Sequence, residues 1–275
     1  MNEEEWMKKY KELAKETGVA KKAGETQILA TGFKTVEIPP DNFIRKTQKF
    51  FVEKELEIQK RWNEQKIKAG KNLWNDPMAS VVDFSIDVFR RLELVVRKSD
   101  YKTYVGTREK RFVNVNNIPM DRNSSLPLSI GAVTITSDDF IVSGLRSGTE
   151  VYKDKVGLAP SGYLDPSVHS LKTEMGEVIS VEILILCELY EELRIQSYIA
   201  KEYLALIQDM QPMIAVRLEI PFVRREIEQI AKISFEHSKF IYIENTIDEV
   251  KKAFEEYEFT PHALSAILCH FLKEK

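Results

Sequence analysis

Beyond residue 126 the chain alternates apolar runs rich in Val and Ile with helical patterns at irregular intervals. This order of elements constrains the fold more than any other feature. Leu128 to Thr136 and Phe140 to Leu145 read as two strands joined by a turn at Ser137-Asp138-Asp139. A loop carrying Gly and Pro, Ser147 to Pro166, precedes a helix from about Glu177 to Ile195. Then come a strand (Met213 to Ile220), a helix (Val223 to Ala231), a strand (Phe240 to Ile243) and two helices (Thr246 to Tyr257, Thr260 to Leu272). The spacing is too uneven for a regular βαβ array, so an α/β chain with a less regular sheet is expected.

Upstream, residues 1 to 22 read as a charged amphipathic helix with Trp6, Tyr10 and Leu13 near helical spacing. A β-like run, Thr26 to Ile38, ends at Pro39-Pro40. Asp41 offers an N-cap for a long helix from Phe43 to about Lys68, stopped by Gly70. Met78 to Ile86 and Arg91 to Arg97 read as strands. The polar stretch Asn114 to Pro127 is the expected junction between an N-terminal extension, 1–125, and a second domain, 126–275.

Composition narrows the class. With 43% hydrophobic and 30% charged residues the chain can bury a core. A net charge of -3 argues against a general nucleic-acid binder, which needs a basic excess. No apolar run reaches the roughly 18 residues of a membrane span, and Met1 to Tyr10 lacks the apolar core of a signal peptide. Cys187 and Cys269 match neither a zinc pattern nor a disulfide framework. A globular protein of the cytoplasm is expected, with no membrane and no nucleic-acid partner. The long helix from Phe43 is read as an interface element for a homodimer.

The segment Cys187-Glu188-Leu189-Tyr190-Glu191-Glu192-Leu193-Arg194-Ile195 carries the chemistry. On a helix Glu188, Glu191 and Glu192 fall within a 100° arc, preceded on that face by Val181, Leu184 and Ile185. An exposed ion-pair face would place Lys or Arg four residues after Glu188; another Glu stands there. Like charges at that spacing are destabilising unless a cation neutralises them. Mg²⁺ or Mn²⁺ on carboxylate oxygens would resolve the conflict, and a solvated acidic face is the competing reading.

Glu188, Leu189, Glu191, Glu192 and Ile195 resemble the second half of the Nudix box, Gly-x5-Glu-x7-Arg-Glu-U-x-Glu-Glu-x-Gly-U, where U is aliphatic. Pro160-Ser161-Gly162 resembles its opening, and Met175-Gly176-Glu177 the Gly-Glu that leads into its helix. Three differences stand out: an 11-residue insertion between Gly162 and Glu188, Cys187 for the Arg, and Arg194 for the final Gly. Leu128 to Arg146 is similar to the opening strands of a Nudix domain, and Phe259-Thr260-Pro261-His262 to its ending. Trp62, Asn72 to Pro77 and Ser99 to Thr107 resemble the UDP-glucose pyrophosphatase branch, which has an N-terminal domain and an expanded box without the Arg.

The resemblance implies an α/β/α sandwich with a mixed sheet, plus an N-terminal extension of helices and strands. It implies metal-dependent hydrolysis of the diphosphate in a nucleoside diphosphate-linked small molecule, here a UDP-sugar, to a nucleoside monophosphate and a sugar 1-phosphate. Glu188 and Glu192 would ligate Mg²⁺ or Mn²⁺, with Glu191 as third ligand or acting through water, and Gly162 would offer its carbonyl. Glu226 and Glu228 are the candidates for a further ligand or base. Arg146 is a phosphate donor or a surface arginine. Tyr101 and Tyr104 stack on a base or pack the N-terminal region. His169 and His262 read as surface or core residues, and Cys187 beside carboxylates is not a nucleophile. A Nudix-fold binding or regulatory module without turnover is the alternative function.

Overall fold

Apolar residues sort to the two sides of one mixed sheet because successive side chains on a strand point to opposite faces. The computed structural model describes residues 2–45, 49–69, 74–107, 124–147, 152–173, 176–231 and 236–273. In chain order the first half holds α1 (Glu3–Glu16), α2 (Ala20–Ala23), β1 (Gln27–Thr31), β2 (Thr35–Glu37), β3 (Phe43–Ile44), α3 (Lys49–Glu53) and α4 (Glu55–Ala69). It continues with β4 (Pro77–Ile86), β5 (Arg91–Asp100) and α5 (Tyr101–Thr107). The second half holds β6 (Ser129–Ile135), β7 (Phe140–Arg146), β8 (Val156–Leu158), β9 (Ser161–Tyr163), β10 (Ser170–Thr173), β11 (Gly176–Ile179) and α6 (Val181–Leu193). It ends with β12 (Ala200–Gln208), β13 (Pro212–Glu219), α7 (Arg224–Ile230), β14 (His237–Glu244), α8 (Ile247–Glu256) and α9 (Pro261–Lys273).

The main sheet runs β1-β12-β13-β6-β7-β14, with β8 on β7 and β9 on β6. Only the β13–β6 pair is parallel, Ile214 lying opposite Ile130. On β6, Val133 and Ile135 enter one core, with Trp6, Tyr10 and Leu13 of α1 and the apolar residues of α8 and α9. Ile130 and Ala132 enter the other, with Leu184, Ile185 and Leu189 of α6 and Leu92 and Leu94 of β5. The sheet therefore lies between two helical layers, the mixed-sheet sandwich expected. At its edge β1 pairs with β12, and a smaller sheet, β2-β5-β3 with β4 on β5, packs on the α6 side. Every residue of α9 from Pro261 to Leu272 is buried, which suits a helix that is apolar nearly all round.

Two helices differ from the sequence reading. The helix expected from Phe43 starts at Lys49, because Phe43 and Ile44 pair as a strand with Val96 and Arg97. Tertiary pairing there outweighs the helical period. The helix expected from Glu177 starts at Val181: Glu177 lies in β11, opposite Lys172 of β10, and Ser180 caps the helix through the Ile183 amide. The expanded stretch between Gly162 and α6 thus holds a β-hairpin. Most of the expected junction at Asn114 to Pro127 lies outside the described residues, as do Asn72, Leu73 and Met175. Its described end, Ser124 to Pro127, is buried.

Candidate active site

Helix α6 buries Val181, Leu184, Ile185, Leu189 and Leu193, and this anchors its glutamates at fixed depths. Glu192 is buried and Glu188, one turn earlier, is half-buried, whereas Glu191 is exposed. Glu192 Oε1 accepts the Ser161 amide at 3.0 Å, and its Oε2 accepts His237 Nε2 at 2.9 Å. Beside Ser161, Gly162 pairs with Ile130 on the sheet and faces the Glu188 carboxylate. Strand β9 is thereby clamped to α6, and the missing side chain at Gly162 permits the approach.

The electrostatics are lopsided. Burial holds the Glu188 carboxyl well above the usual carboxylate range, and Glu192, Glu236 and Glu191 push in the same direction. Glu188 accepts no hydrogen bond from any described residue, so no described group offsets that charge. Glu236 is exposed as a residue, yet desolvation around its carboxyl, then Glu192, raises it, while Arg146 and His237 pull it down. The candidate ligand atoms of Glu192, Glu236 and His237 lie within 4.8 Å of one another. Burial, then Glu191 and Glu188, pushes the Cys187 thiol up, in keeping with a non-nucleophilic cysteine.

Of these groups Glu188 and Glu236 line a cleft of about 570 Å³, whereas Glu192, His237 and Cys187 do not line it. Glu188, Glu191 and Gly162 line it together with Arg146, the last residue of β7, and Tyr101, the first of α5. Four elements far apart in sequence thus bring five of the expected site residues to one cavity. Tyr104 is a sixth by proxy. It is 1% exposed, packs with Trp62, and donates its hydroxyl to Gln211, which lines the cleft and also accepts Tyr163. Tyr104 therefore packs, while Tyr101 both touches Trp62 and faces the cavity.

Two expectations are corrected. Glu226 caps α7 through the Val223 amide and Glu228 pairs with Arg224; neither lines the cleft. The second-half carboxylate at the cluster is Glu236, followed by His237. The sequence reading starts this strand at Phe240, which leaves both in a loop; it starts at His237, with Glu236 in the bend just before it. An acidic residue just before a histidine that opens a strand, whose partner ends in Arg146, is the available signal. His169 and His262 also line the cleft, His169 Nδ1 accepting the Asp165 amide and His262 Nε2 bonding the Gln211 carbonyl.

No family model and no curated protein matches the sequence. Among solved structures, the Nudix domain of Shewanella oneidensis NrtR complexed with ADP ribose matches at 16% identity and a TM-score of 0.40, covering 61% of this chain and 99% of that one. DR0079 from Deinococcus radiodurans matches at 13% identity and a TM-score of 0.39, covering 52% and 82%. MutT protein from Methanosarcina mazei Go1 matches at 16% and 0.36, covering 54% and 94%. These likenesses are loose, and the site stands on the chain's own residues.

Proposed function

We propose that this chain is a metal-dependent pyrophosphohydrolase of the Nudix type, acting on a nucleoside diphosphate derivative. The observation that carries the reading is the convergence of Glu188 and Glu236 on the buried Glu192, where Glu188, Glu236 and Gly162 line a cleft that also presents Arg146. A desolvated carboxylate among like charges, with no donor among the described residues, is costly unless a cation joins it. All-oxygen donors suit Mg²⁺ or Mn²⁺, and Glu188, Glu192 and Glu191, with the Gly162 carbonyl, are the proposed holders. A divalent cation bound there would neutralise charge on the diphosphate and activate a water for attack on phosphorus.

The chain's own groups then have separable tasks. Arg146 donates to a phosphate oxygen. Tyr101 offers a ring to the base or sugar, and Tyr104 and Tyr163 hold Gln211 at the cavity wall. Residues 1–125 act as an extension of a catalytic domain at 126–275, with α5 delivering Tyr101. The substrate proposed is a UDP-sugar, which the likeness of Ser99 to Thr107 and the expanded box support; the products are a nucleoside monophosphate and a sugar 1-phosphate.

The test is a panel of UDP-glucose, other nucleotide sugars, dinucleotides and nucleoside triphosphates, assayed with Mg²⁺ and with Mn²⁺ and with the products identified. Glu192→Gln keeps the side-chain size but removes a charge, and turnover should fall on the order of 10²-fold or more. An enzyme that ignores nucleotide sugars but cleaves another diphosphate refutes the substrate. A folded protein that binds nucleotide and turns over nothing with either metal favours the binding module, a reading that Cys187 in the place of the box Arg supports.

A further inference from the structure

Glu192 is 4% exposed, and a polar side chain at that depth is costly unless hydrogen-bond partners meet it. Two described groups do so, the Ser161 amide on Oε1 and the His237 ring on Oε2. With Glu192 as a carboxylate, which only accepts, the Nε2 tautomer of His237 is the one that donates to it. His237 has no exposed surface, and its ring lies against the β7 backbone: a methyl at Gly144 would fall 2.3 Å from Nδ1. Nδ1 has no hydrogen-bond partner among the described residues. The bond to Glu192 is thus what offsets burial of the imidazole, and packing against Gly144 fixes where that bond points. On α6 itself no cation is available for the task, since Cys187 stands where the Nudix resemblance places an arginine.

We propose that His237 is a positioning residue that holds Glu192 in its metal-binding orientation, doing from strand β14 what the arginine would have done from the helix. The inference rests on the metal-dependent reading of the site. Nε2 is committed to Glu192, so His237 acts on the carboxylate and does not ligate the cation.

Two substitutions separate this role from packing. His237→Gln keeps an N–H donor and loses the ring; His237→Phe keeps a ring and loses the donor. Mn²⁺ affinity is measured by electron paramagnetic resonance on the full chain, beside kcat, KM and thermal unfolding. His237→Gln should stay within a few-fold of the native protein. His237→Phe should lose about 10- to 100-fold in Mn²⁺ affinity and in kcat, with KM changing less. The reverse ranking, Phe near native and Gln impaired, assigns His237 to packing and overturns the proposal. So does nitrogen coupling to Mn²⁺ in pulsed spectra of the native protein, which would make His237 a ligand. Should His237→Phe not fold, loss of Mn²⁺ affinity in His237→Gln overturns it alone. A native protein that binds Mn²⁺ but cleaves nothing sinks the proposed function, while the affinity ranking still decides the role of His237.

Discussion

The α-carbon of Gly162 faces the carboxylate of Glu188 so closely that a methyl group on it would fall 1.7 Å from Oε1 and 2.0 Å from Cδ. Ordinary carbon contacts sit at about 3.5 to 4.0 Å, so the two cannot coexist. The clash falls on the end of a side chain rather than on backbone, and Gly162 does not occupy the left-handed region. Gly162→Ala should therefore fold, with thermal unfolding moved by only a few degrees. Glu188 must swing aside, and turnover should fall on the order of 10²-fold. An alanine variant with native kcat would show that the placement of Glu188 is not needed for activity.

Glu188→Gln should have opposite effects with and without metal. The folded state raises the Glu188 carboxyl, so between the unfolded pKa, about 4.5, and the higher folded one, the folded chain binds more protons. Stability of the metal-free native protein must then fall as pH rises through that window. Removing the charge flattens the slope, and in chelator at pH 8 the variant should unfold at a higher temperature than the native protein. A cation at 100 times its Kd adds about 2.7 kcal/mol to the native protein. The variant should gain clearly less. Equal gains from Mn²⁺ in both proteins would remove Glu188 from the metal site.

The glutamates were legible because a helix repeats locally: three acidic residues on one arc, with apolar turns before them, need no knowledge of the rest of the chain. Arg146, Gly162 and Tyr101 were legible only as fragments of a resemblance, since the cleft that unites them is made by β7, β9 and α5 packing from distant parts of the sequence. Glu236 and His237 were illegible for a stricter reason. Their placement depends on the β14–β7 register, which sets His237 opposite Arg146, and no local period encodes a register between strands almost 100 residues apart. The hairpin β10–β11 was hidden likewise, because an amphipathic start at Glu177 fits a helix until Lys172 is seen to pair with it.

Arg194 ends α6 with φ of 62°, the left-handed conformation that favours glycine, and the Nudix motif has glycine there. A side chain in that region costs about 1 kcal/mol. The Arg194 guanidinium lies 5.4 Å from the centre of the Tyr190 ring, a contact worth about 0.5 kcal/mol at an exposed site, which offsets part of the cost. Arg194→Gly should shift the urea midpoint upward by a margin corresponding to about 0.5 kcal/mol. A loss of 1 kcal/mol or more would mean that the cation–ring contact outweighs the backbone strain.

Acid should destabilise the core through His270. It lies on α9 with no exposed surface, its Nε2 2.8 Å from Asn245 Oδ1. Burial, then the Arg217 charge, pushes its pKa down to about 4, against a weaker upward pull from Asp139. The unfolded chain takes up that proton near pH 6.5. Between pH 6.5 and 4 the unfolded state therefore holds more protons, and stability is lost as pH falls through that window. At pH 4.5 the loss from this group is about 2.5 kcal/mol, from 1.36 kcal/mol per pKa unit. His169 and His262 are lowered by burial too and add to the acid sensitivity, so the native curve alone assigns nothing. The difference between native protein and His270→Gln isolates the group, because glutamine cannot titrate. At pH 7.5 the variant should be the less stable, having lost a core side chain. At pH 4.5 its deficit in urea unfolding should shrink by about 2.5 kcal/mol. Parallel curves across that range would mean that His270 is protonated equally in the folded and unfolded chains.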